Sequence, residues 1–595
     1  MCGILGKVSF NAPIDQDEFV AQRDTMTSRG PNQEGLYFNS AKKIALGYRR
    51  LSINDLSELG NQPISNEDST IFLICNGEIY NSPKLKEELI KLGHHFKSRS
   101  DAEVIIHGYE EWGTEILKRV EGMFAFGIWD SKKDELIVAR DRFGIKPLYF
   151  ESNDESFTFA SSLNAIITAK NHHKKLDFSS ICDYLTYRYV PSPKSIYQGI
   201  CKLEPAQFLV LTAQKKVQIQ YYWAIEYKPI KMSPAEVQKQ FEHLLRQSVR
   251  KHLMSDVPVG SFLSSGYDSS TLALLMTEEN YQPQTFSLGF SNWEESEHLI
   301  AQKTADILKL NNHSLIIDFK DFIPENFIDA YDEPIADIST IPTFCISNFA
   351  SKKVKTVFSG EGADELLGGY DWHRKIMQKY NQRSISDRLF RDFNPTAIEI
   401  YKEYMAMGKF DRDELLKLFS PEHHYQIPEN PYWFFEQSFR KDLPLLKAIQ
   451  YMDIRGFMGE LVLSKIDRSS MAHSLEVRVP YLDYDLFDFL FNLEPDAYFS
   501  LVEQKKLLVN LLKPKLPHVV NRKKQGFVGP NEYYNRVELY KDILKNSKLE
   551  DLGILNKKYL LQLFSNNDMW RIWKLVLLEL WLQHNFGSNS SLKSN

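Results

Sequence analysis

The spacing of apolar positions changes along the chain and predicts two differently built parts. Up to about residue 205, short apolar runs such as IFLICNGEIY (71–80) and MFAFGIWD (123–130) alternate with turn residues, a pattern typical of β-sheets. SPKLKEELIKLG (82–93) and DAEVIIHGYEEWG (101–113) instead carry apolar residues at helical spacing. We therefore predict an α+β first part with sheets as its core.

The second part is predicted to begin with a long helix and to continue as alternating helices and short buried strands. The segment SPAEV at 233–237 is a helix-start signal, and the helical pattern continues to about residue 254. VPVGSFL (257–263), QTFSLGF (284–290) and TVFSG (356–360) are strand candidates between helical patterns. This alternation predicts an α/β domain with a parallel sheet, whose site lies at the carboxyl ends of the strands.

These patterns divide the chain into four segments. We predict a first domain over residues 2–205, a connecting segment over 206–233 and a second domain over 234–585. The second domain turns mostly helical from residue 371 onward. The composition of 586–595, which ends in SNSSLKSN, predicts a disordered tail.

Charge and composition exclude several classes of partner. The formal charge of -6 arises from 72 basic and 78 acidic residues without long like-charged blocks, so we expect neither nucleic acid nor an anionic membrane as a partner. No apolar stretch approaches the roughly 18 to 20 residues that span a bilayer. The five cysteines are scattered without a CxxC pair, which indicates neither a disulfide framework nor a zinc site and favours the reducing cytoplasm. We therefore expect a cytoplasmic protein that acts on small molecules.

Cys2 is a candidate nucleophile because of its position. Removal of Met1 would leave a free α-amine, with a reference pKa of about 7.7 to 8.0, on the same residue as the thiol. One residue could then supply both the nucleophile and the base. Taken alone, a cysteine at this position is more often incidental than a nucleophile.

Ordered motifs around Cys2 favour the nucleophile. They are MCGI (1–4), RGPNQEG (29–35), RLSI (50–53), NQP (61–63), NGEIYN (76–81), SD (100–101), MFAFG (123–127) and RDRFGIKPLY (140–149). This set resembles the glutaminase domain of class II glutamine amidotransferases over essentially residues 2–205. The resemblance implies an N-terminal nucleophile fold, in which helices sandwich the sheets.

The resemblance also implies roles for individual residues. Cys2 would attack the side-chain amide of glutamine, while Asn76 and the backbone N–H of Gly77 form the oxyanion hole. Arg50 would pair with the α-carboxylate of glutamine. The residues that would receive its α-ammonium group are Glu78 and Asp101. The chain departs from the family at Asn32, where RGPD is usual, and we expect Asn to make similar turn hydrogen bonds.

A hydroxyl-rich loop, SFLSSGYDSST (261–271), is a candidate anion site in the second part. A predicted strand leads into this loop and a predicted helix follows it, so backbone N–H groups and the helix dipole would converge there. The chain contains no GxxxxGK[ST], and GEGADE (360–365) lacks the last glycine of GxGxxG. The loop resembles the SGGxDSS pyrophosphate loop of enzymes that split ATP between its α and β phosphates. Ser265 stands where relatives carry the first of two glycines.

Further motifs follow in the order of an asparagine synthetase domain of the ATP-pyrophosphatase type. They are FSLGF (286–290), DEPIADISTIP (332–342), FSGEGADELLGGY (358–370), LSKIDRSSMAHSLEVRVPYLD (463–483) and RKKQGFVGP (522–530). The resemblance thus covers nearly the whole chain. It implies ATP as a substrate and Mg²⁺ as the metal ion.

The resemblance assigns the residues of this second site. The phosphates would be held by Ser264, Gly266, Asp268 and Ser269. The adenosine would be flanked by Leu263, Leu288, Ser359 and Gly360. Asp268 and Asp364 would bind Mg²⁺, because carboxylate oxygens suit this cation. Lys465 would stabilise charge on the α-phosphate, and Glu361 would accept a proton from the attacking ammonia.

Together these motifs predict a glutamine-dependent asparagine synthetase. Ammonia released from glutamine would pass through an internal tunnel and aminate an acyl-AMP formed from aspartate, and the resemblance implies a homodimer. An amidotransferase of the same mechanism that acts on a uronic acid remains the alternative, because DEPIADIST (332–340) is the pattern of one branch of the family only. A tRNA-thiolating enzyme would need paired cysteines and a basic surface. A β-lactam-forming relative would have little use for an intact glutaminase set. An inactive binding protein would be free to lose Cys2, Asp268, Glu361 or Lys465, and all four are present.

Overall fold

The structure is a computed structural model, and the residues that it describes are 2–170, 172–294, 296–384, 386–387, 392–405, 407–521 and 529–587. Most of the motif at 522–530, namely RKKQGFV, and residues 588–595 of the predicted tail lie outside the described residues. No helix in the described ranges is long and apolar enough to cross a membrane.

Two six-stranded antiparallel sheets form the first part of the chain. Their strands are β1 (Gly3–Ser9), β2 (Gln33–Phe38), β3 (Ile44–Arg50), β4 (Ile64–Ser65), β5 (Ile71–Ile79), β6 (Gly122–Asp130), β7 (Glu135–Arg140), β8 (Tyr149–Ser152), β9 (Ser156–Ala160), β10 (Ile200–Lys202), β11 (Gln207–Leu211) and β12 (Val217–Tyr221). The strand orders are β10-β8-β9-β1-β3-β2 and β12-β11-β7-β6-β5-β4. β11 and β12 lie within 206–233, so the second sheet continues into the stretch predicted as a connection.

The two sheets pack face to face, with helices on their outer faces. Ile4 from β1 and Ile74 from β5 belong to one buried cluster between the sheets. Leu5 points to the opposite side, into a cluster with residues of helices, because successive side chains of a strand alternate. The α-helices of this part are Gln16–Asp24, Ser82–Lys91, Glu103–Trp112, Ile116–Arg119, Leu163–Ile167 and Phe178–Tyr187. The predicted sandwich of sheets between helices is confirmed.

A five-stranded parallel sheet organises the second part. Its strands are β13 (Val259–Phe262), β14 (Thr285–Phe290), β15 (Asn312–Ile317), β16 (Thr356–Phe358) and β17 (Glu476–Arg478), in the order β15-β14-β13-β16-β17. The chain adds β14 and β15 on one side of β13, and later β16 and β17 on the other. The loops that follow β13 and β16 therefore meet at a topological switch point, where parallel sheets place their ligands.

Helices surround this sheet and dominate the rest of the chain, as predicted. The α-helices are Pro234–His252, Tyr267–Glu278, His298–Leu308, Thr340–Ser351, Ala363–Leu367, Asp371–Asn381, Asn394–Met405, Arg412–Leu418, Trp433–Ser438, Leu445–Asp453, Leu463–Met471, Tyr484–Asn492, Lys506–Leu512, Pro517–Val520, Asn531–Tyr534, Val537–Ile543, Lys548–Asp551, Lys557–Ser565 and Met569–Asn585. A capping box starts the first of them: Ser233 Oγ accepts from the backbone N–H of Glu236, whose Oε2 accepts from the N–H of Ser233 at 2.9 Å. This capping box is the physical reason why SPAEV marks the start of the helix.

Buried polar contacts join the two parts. Arg29 donates from Nη1 to Asp467 Oδ2 at 2.8 Å, and both side chains are less than one-tenth exposed. Arg478 on β17 lies with Nη2 at 3.3 Å from Glu78 Oε2 on β5. Because removing one partner from a buried ion pair leaves an uncompensated charge, these contacts fix how the parts meet.

Candidate active sites

Cys2 lies at the start of β1, between the two sheets, and it is 7% exposed. Its backbone N–H donates to Asn76 Oδ1 at 2.8 Å, which connects the first sheet to β5 of the second. The thiol Sγ accepts from the hydroxyl of Tyr48 at 2.8 Å. Burial, and then the neighbouring Cys2, raise the pKa of Tyr48 well above its usual value, so this hydroxyl stays protonated and can donate. No sequence motif pointed to Tyr48.

Asn76 presents an unused donor beside this thiol. The residue is fully buried, and its Nδ2 has no hydrogen-bond partner in the described part of the chain. A buried donor without a partner costs about 1–3 kcal/mol, which indicates that it serves a bound group. Gly77 follows Asn76 in β5, where the backbone is tightly packed. A Cβ on Gly77 would lie 2.1 Å from the carbonyl oxygen of Met123. The predicted oxyanion pair is therefore adjacent to Cys2.

Arg50 lies across from Cys2 in the β1–β3 ladder, whose register pairs Gly3 with Arg49. Its guanidinium donates to Gln33 Oε1 at 2.5 Å and to the carbonyl oxygen of Ser57 at 2.8 Å. These bonds hold the arginine at the predicted glutamine site.

Two buried carboxyl groups complete this site. Asp101 Oδ2 accepts from the N–H of Ile79 at 2.6 Å, so Asp101 lies beside the end of β5 that carries Glu78. Burial raises the pKa of both carboxyls, and the charges of Glu476 and Asp101 add to the effect at Glu78. A cationic ammonium group between them would compensate this cost.

The side chain of Asn32 contacts residues that are distant in the sequence. Its Oδ1 accepts from the backbone N–H of Ser52 at 3.0 Å and lies 3.3 Å from Nζ of Lys355.

A second site is a cavity of about 480 Å³ at the carboxyl ends of β13 and β16. Every residue predicted for ATP, metal or catalysis in the second part lines it: Leu263, Ser264, Gly266, Asp268, Ser269, Leu288, Ser359, Gly360, Glu361, Asp364 and Lys465. The set is drawn from four separate stretches of sequence, which the sheet topology brings together.

The hydroxyl-rich loop turns directly from β13 into the helix Tyr267–Glu278. Ser264 Oγ accepts from the N–H of Gly266 at 3.0 Å and lies 2.9 Å from Ser269 Oγ. Gly360, after β16, comes so close that a Cβ would lie 2.8 Å from Cβ of Asp268. The loop and the N-terminus of this helix thus line the cavity together, which is an anion-binding arrangement.

Ser265 does not adopt the left-handed backbone that a glycine would permit. Its Oγ donates to Glu297 Oε1 at 2.5 Å, and both side chains are buried at the edge of the same cavity. The Ser265 hydroxyl thus contacts the Glu297 carboxylate, whereas the hydroxyls of Ser264 and Ser269 contact each other within the loop.

The carboxylates of Asp268 and Asp364 converge on one cation. Nζ of Lys505 lies 2.6 Å from Asp268 Oδ2 and 2.8 Å from Asp364 Oδ1, and Lys505 is 4% exposed. Two carboxylates that share a cationic partner and border a phosphate-type loop fit a Mg²⁺ site. No motif singled out Lys505.

Lys465 lies on the opposite wall. Its Nζ hydrogen-bonds Ser339 Oγ and is 3.3 Å from Asp337 Oδ1. Burial alone would raise the pKa of Asp337, but the charges of Lys465 and Arg188 outweigh it and lower that pKa to about 2. Arg188, from the first part of the chain, also lines the cavity, with Nη1 at 3.3 Å from Asp337 Oδ2. The sequence contained no local signal for Arg188.

Glu361 is the candidate for proton transfer in this cavity. Burial raises its pKa, and its Oε2 has no hydrogen-bond partner within the described ranges. A carboxyl group with a raised pKa and a free oxygen in a cavity is suited to proton transfer.

Comparisons with known proteins match both parts of the chain. A glutamine amidotransferase domain model matches residues 1–223, and an asparagine synthase model matches residues 240–583. The chain is similar to asparagine synthetase [glutamine-hydrolyzing] 1 of Bacillus subtilis, with 32% identity over 98% of this chain and 96% of that protein. It is 30% identical to a putative asparagine synthetase of Mycobacterium tuberculosis, covering 90% and 88%. It is 27% identical to amidase chry2 of Gibberella zeae, covering 91% and 89%.

Proposed function

The chain belongs to the asparagine synthase family of ATP-dependent, glutamine-hydrolysing ligases, and we propose that the acid it amidates is aspartate and that its product is asparagine. The observation that carries the proposal is the meeting of the hydroxyl-rich loop, Glu361 and Lys465 in one cavity. The first part of the same chain holds Cys2 against Asn76. One chain thus combines a source of ammonia with a site that activates a carboxylate.

In the first site, the Cys2 thiolate attacks the side-chain amide of glutamine. The tetrahedral oxyanion accepts hydrogen bonds from Asn76 Nδ2 and the N–H of Gly77. The α-amine of Cys2, free once Met1 is removed, takes the thiol proton and gives it to the departing ammonia. Water then hydrolyses the thioester to glutamate. Arg50 binds the α-carboxylate, and Glu78 and Asp101 bind the α-ammonium group. The unpartnered Nδ2 of Asn76 supports this assignment.

In the second site, a carboxylate oxygen of the acceptor attacks the α-phosphorus of ATP, and pyrophosphate leaves. Lys465 stabilises the charge on the α-phosphate, while Asp268 and Asp364 would hold Mg²⁺, which neutralises the leaving pyrophosphate when bound. Ammonia then attacks the acyl carbon, AMP leaves, and Glu361 takes a proton from the new amide nitrogen. The raised pKa of Glu361 supports this role.

Arg478 provides a direct structural link between the two sites. Its side chain reaches Glu78 of the glutamine site, and its carbonyl oxygen accepts from the N–H of Ser359 at 2.9 Å, in the loop that carries Glu361. This buried junction joins the two sites mechanically. Internal transfer of ammonia between them would keep it from being protonated by water.

A screen of acceptors tests the product. Glutamine-dependent pyrophosphate release is measured with aspartate and with a panel of uronic acids at equal concentrations. We expect release with aspartate and formation of asparagine by mass spectrometry. Release with a uronate and none with aspartate would overturn the asparagine assignment and support the sugar-acid alternative. Some relatives of this chain are named amidases rather than asparagine synthetases.

Asn76 is expected to act mainly on the transition state of glutamine hydrolysis. In N76A, kcat for glutaminase activity should fall about 10²–10³-fold with a much smaller change in KM, because the lost donor serves the oxyanion. N76D keeps the Oδ1 acceptor for the Cys2 N–H and should be similarly impaired. The surface variant N153A serves as the control. An unchanged kcat in N76A would contradict the assignment.

Ser265 is expected to contribute little to ATP binding. S265G should change KM for ATP by less than about threefold, because the hydroxyl contacts Glu297 rather than the phosphate loop. S264A should raise KM about tenfold, since it removes a net hydrogen bond of roughly 1 kcal/mol or more that shapes the loop. Pyrophosphate release against ATP concentration measures both. Equal effects in the two variants would show that Ser265 also serves the phosphates.

A further inference from the structure

A cluster of two histidines and two glutamates lies at the opposite end of β5 from the glutamine site. Glu67 is in the turn between β4 and β5, His94 follows the helix Ser82–Lys91, and His107 and Glu110 lie on the helix Glu103–Trp112. One ligand atom from each lies within 4.8 Å of every other. At about 3.3 Å per residue, β5 separates this cluster from Gly77 by roughly 20 Å.

The distances in the cluster match those between ligands of one metal ion. Nδ1 of His107 lies 3.2 Å from Glu110 Oε2 and 3.6 Å from Glu67 Oε2. Nδ1 of His94 lies 3.7 Å from Glu110 Oε2 and 3.9 Å from Glu67 Oε1. Ligands about 2.0–2.1 Å from a tetrahedral zinc ion are about 3.4 Å apart. Small rotations of the side chains would close the set around one ion.

The imidazole of His94 is oriented as metal ligands usually are, and that of His107 presents its Nδ1 to the same cluster. The other ring nitrogen of His94, Nε2, lies 2.9 Å from Glu111 Oε1, and that of His107 lies 3.6 Å from Glu103 Oε1. The contact with Glu111 favours a proton on Nε2 of His94, which leaves the lone pair of its Nδ1 directed at the cluster. Nε2 of His107 has no hydrogen-bond partner in the described part of the chain, and its Nδ1 lies at hydrogen-bond distance, 3.2 Å, from Glu110 Oε2. A ring nitrogen that faces carboxylate oxygens is compensated either by a proton or by a metal ion that both groups bind.

The surrounding contacts hold the ligands in place. The side chain of His107 is 1% exposed and that of His94 is 10% exposed. Asn66 Nδ2 donates to Glu110 Oε1 at 2.8 Å, and Glu103 accepts from the N–H of Ser98 at 2.8 Å. The site therefore exists before an ion binds, with one open side at the two glutamates.

From this geometry we propose that Glu67, His94, His107 and Glu110 bind one Zn²⁺ ion. Two imidazole nitrogens and two carboxylates suit zinc, whereas Mg²⁺ and Ca²⁺ prefer oxygen ligands alone. The ion connects a turn, a loop and a helix, so its role is structural. The loop continues to Asp101, so the ion also braces the segment that carries this residue of the glutamine site.

The test is the zinc content of the full-length chain without an affinity tag. After dialysis against Zn²⁺ and then against metal-free buffer, we expect about one zinc per chain by mass spectrometry, and at least a tenfold weaker affinity for Zn²⁺ in H94A. E110Q, a milder change on the exposed side, should also weaken binding. H172A is the matched control, because His172 faces one carboxylate, Glu151, at 3.3 Å.

Two further measurements separate zinc from a purely ionic cluster. Co²⁺ in place of Zn²⁺ should give the visible absorption of a tetrahedral site, and a chelator should lower Tm of the wild type and of H172A but not of H94A. Absence of zinc binding, or binding that H94A and E110Q leave unchanged, would overturn the proposal. If the chain binds no zinc, the two histidines are protonated partners of the glutamates.

Discussion

Replacing Cys2 with alanine is expected to abolish glutamine-dependent synthesis while ammonium-dependent synthesis continues. The thiol is the only proposed nucleophile of the first site, and loss of a covalent nucleophile should reduce glutaminase turnover by at least about 10³-fold. The ATP cavity contains no part of Cys2, and its lining residues are unchanged in C2A. Ammonia supplied from solution should therefore still reach the acyl-AMP.

Two assays in parallel check this result. Glutamate release measures the first site, and pyrophosphate release with ammonium chloride measures the second. C201S, which alters a partly exposed thiol on β10, should retain both activities. If C2A loses ammonium-dependent synthesis while its Tm is unchanged, the division of labour between the two sites is wrong.

The second large effect is expected at Lys465. In K465M, synthesis should fall about 10²–10³-fold with either nitrogen source, because a charge that stabilises the α-phosphate in the transition state is removed. Hydrolysis of glutamine should continue, since Lys465 lines only the second cavity. The outcome is thus the opposite of that in C2A: the first activity survives and the second is lost.

The contacts of Lys465 determine the controls for this experiment. Because its Nζ also neutralises Asp337, K465M leaves that carboxylate with Arg188 alone, and a measured Tm separates lost catalysis from lost folding. K465R keeps the charge but not the geometry of the ammonium group, and should recover part of the activity. K352M, at an exposed helix end, should behave as the wild type. Full ammonium-dependent synthesis in K465M would contradict the role proposed for Lys465.

The sequence by itself determined the elements whose pattern is local. The apolar runs at 71–80 and 123–130 became β5 and β6, and the capped helix after residue 233 begins where its signal stands. The hydroxyl-rich loop and Gly360 also lie at the carboxyl ends of strands, as predicted. Such features depend on spacing within about ten residues, because side-chain direction and capping are set by neighbours in the chain.

Only the tertiary structure decided which distant residues share a site. Lys505 contacts Asp268 from 237 positions away, and Arg188 reaches the second cavity from the first part of the chain. β17 is only three residues long, bears two charges and has no apolar run to predict it, yet it pairs with β16. Its Arg478 can be buried there because Glu476 and Glu78 lie beside the guanidinium. The proposed zinc site was likewise hidden, since the cysteine pattern indicated none and its four ligands come from three separate elements. Long-range pairing carries no fixed spacing in a sequence, so these contacts appear only once the sheets are assembled.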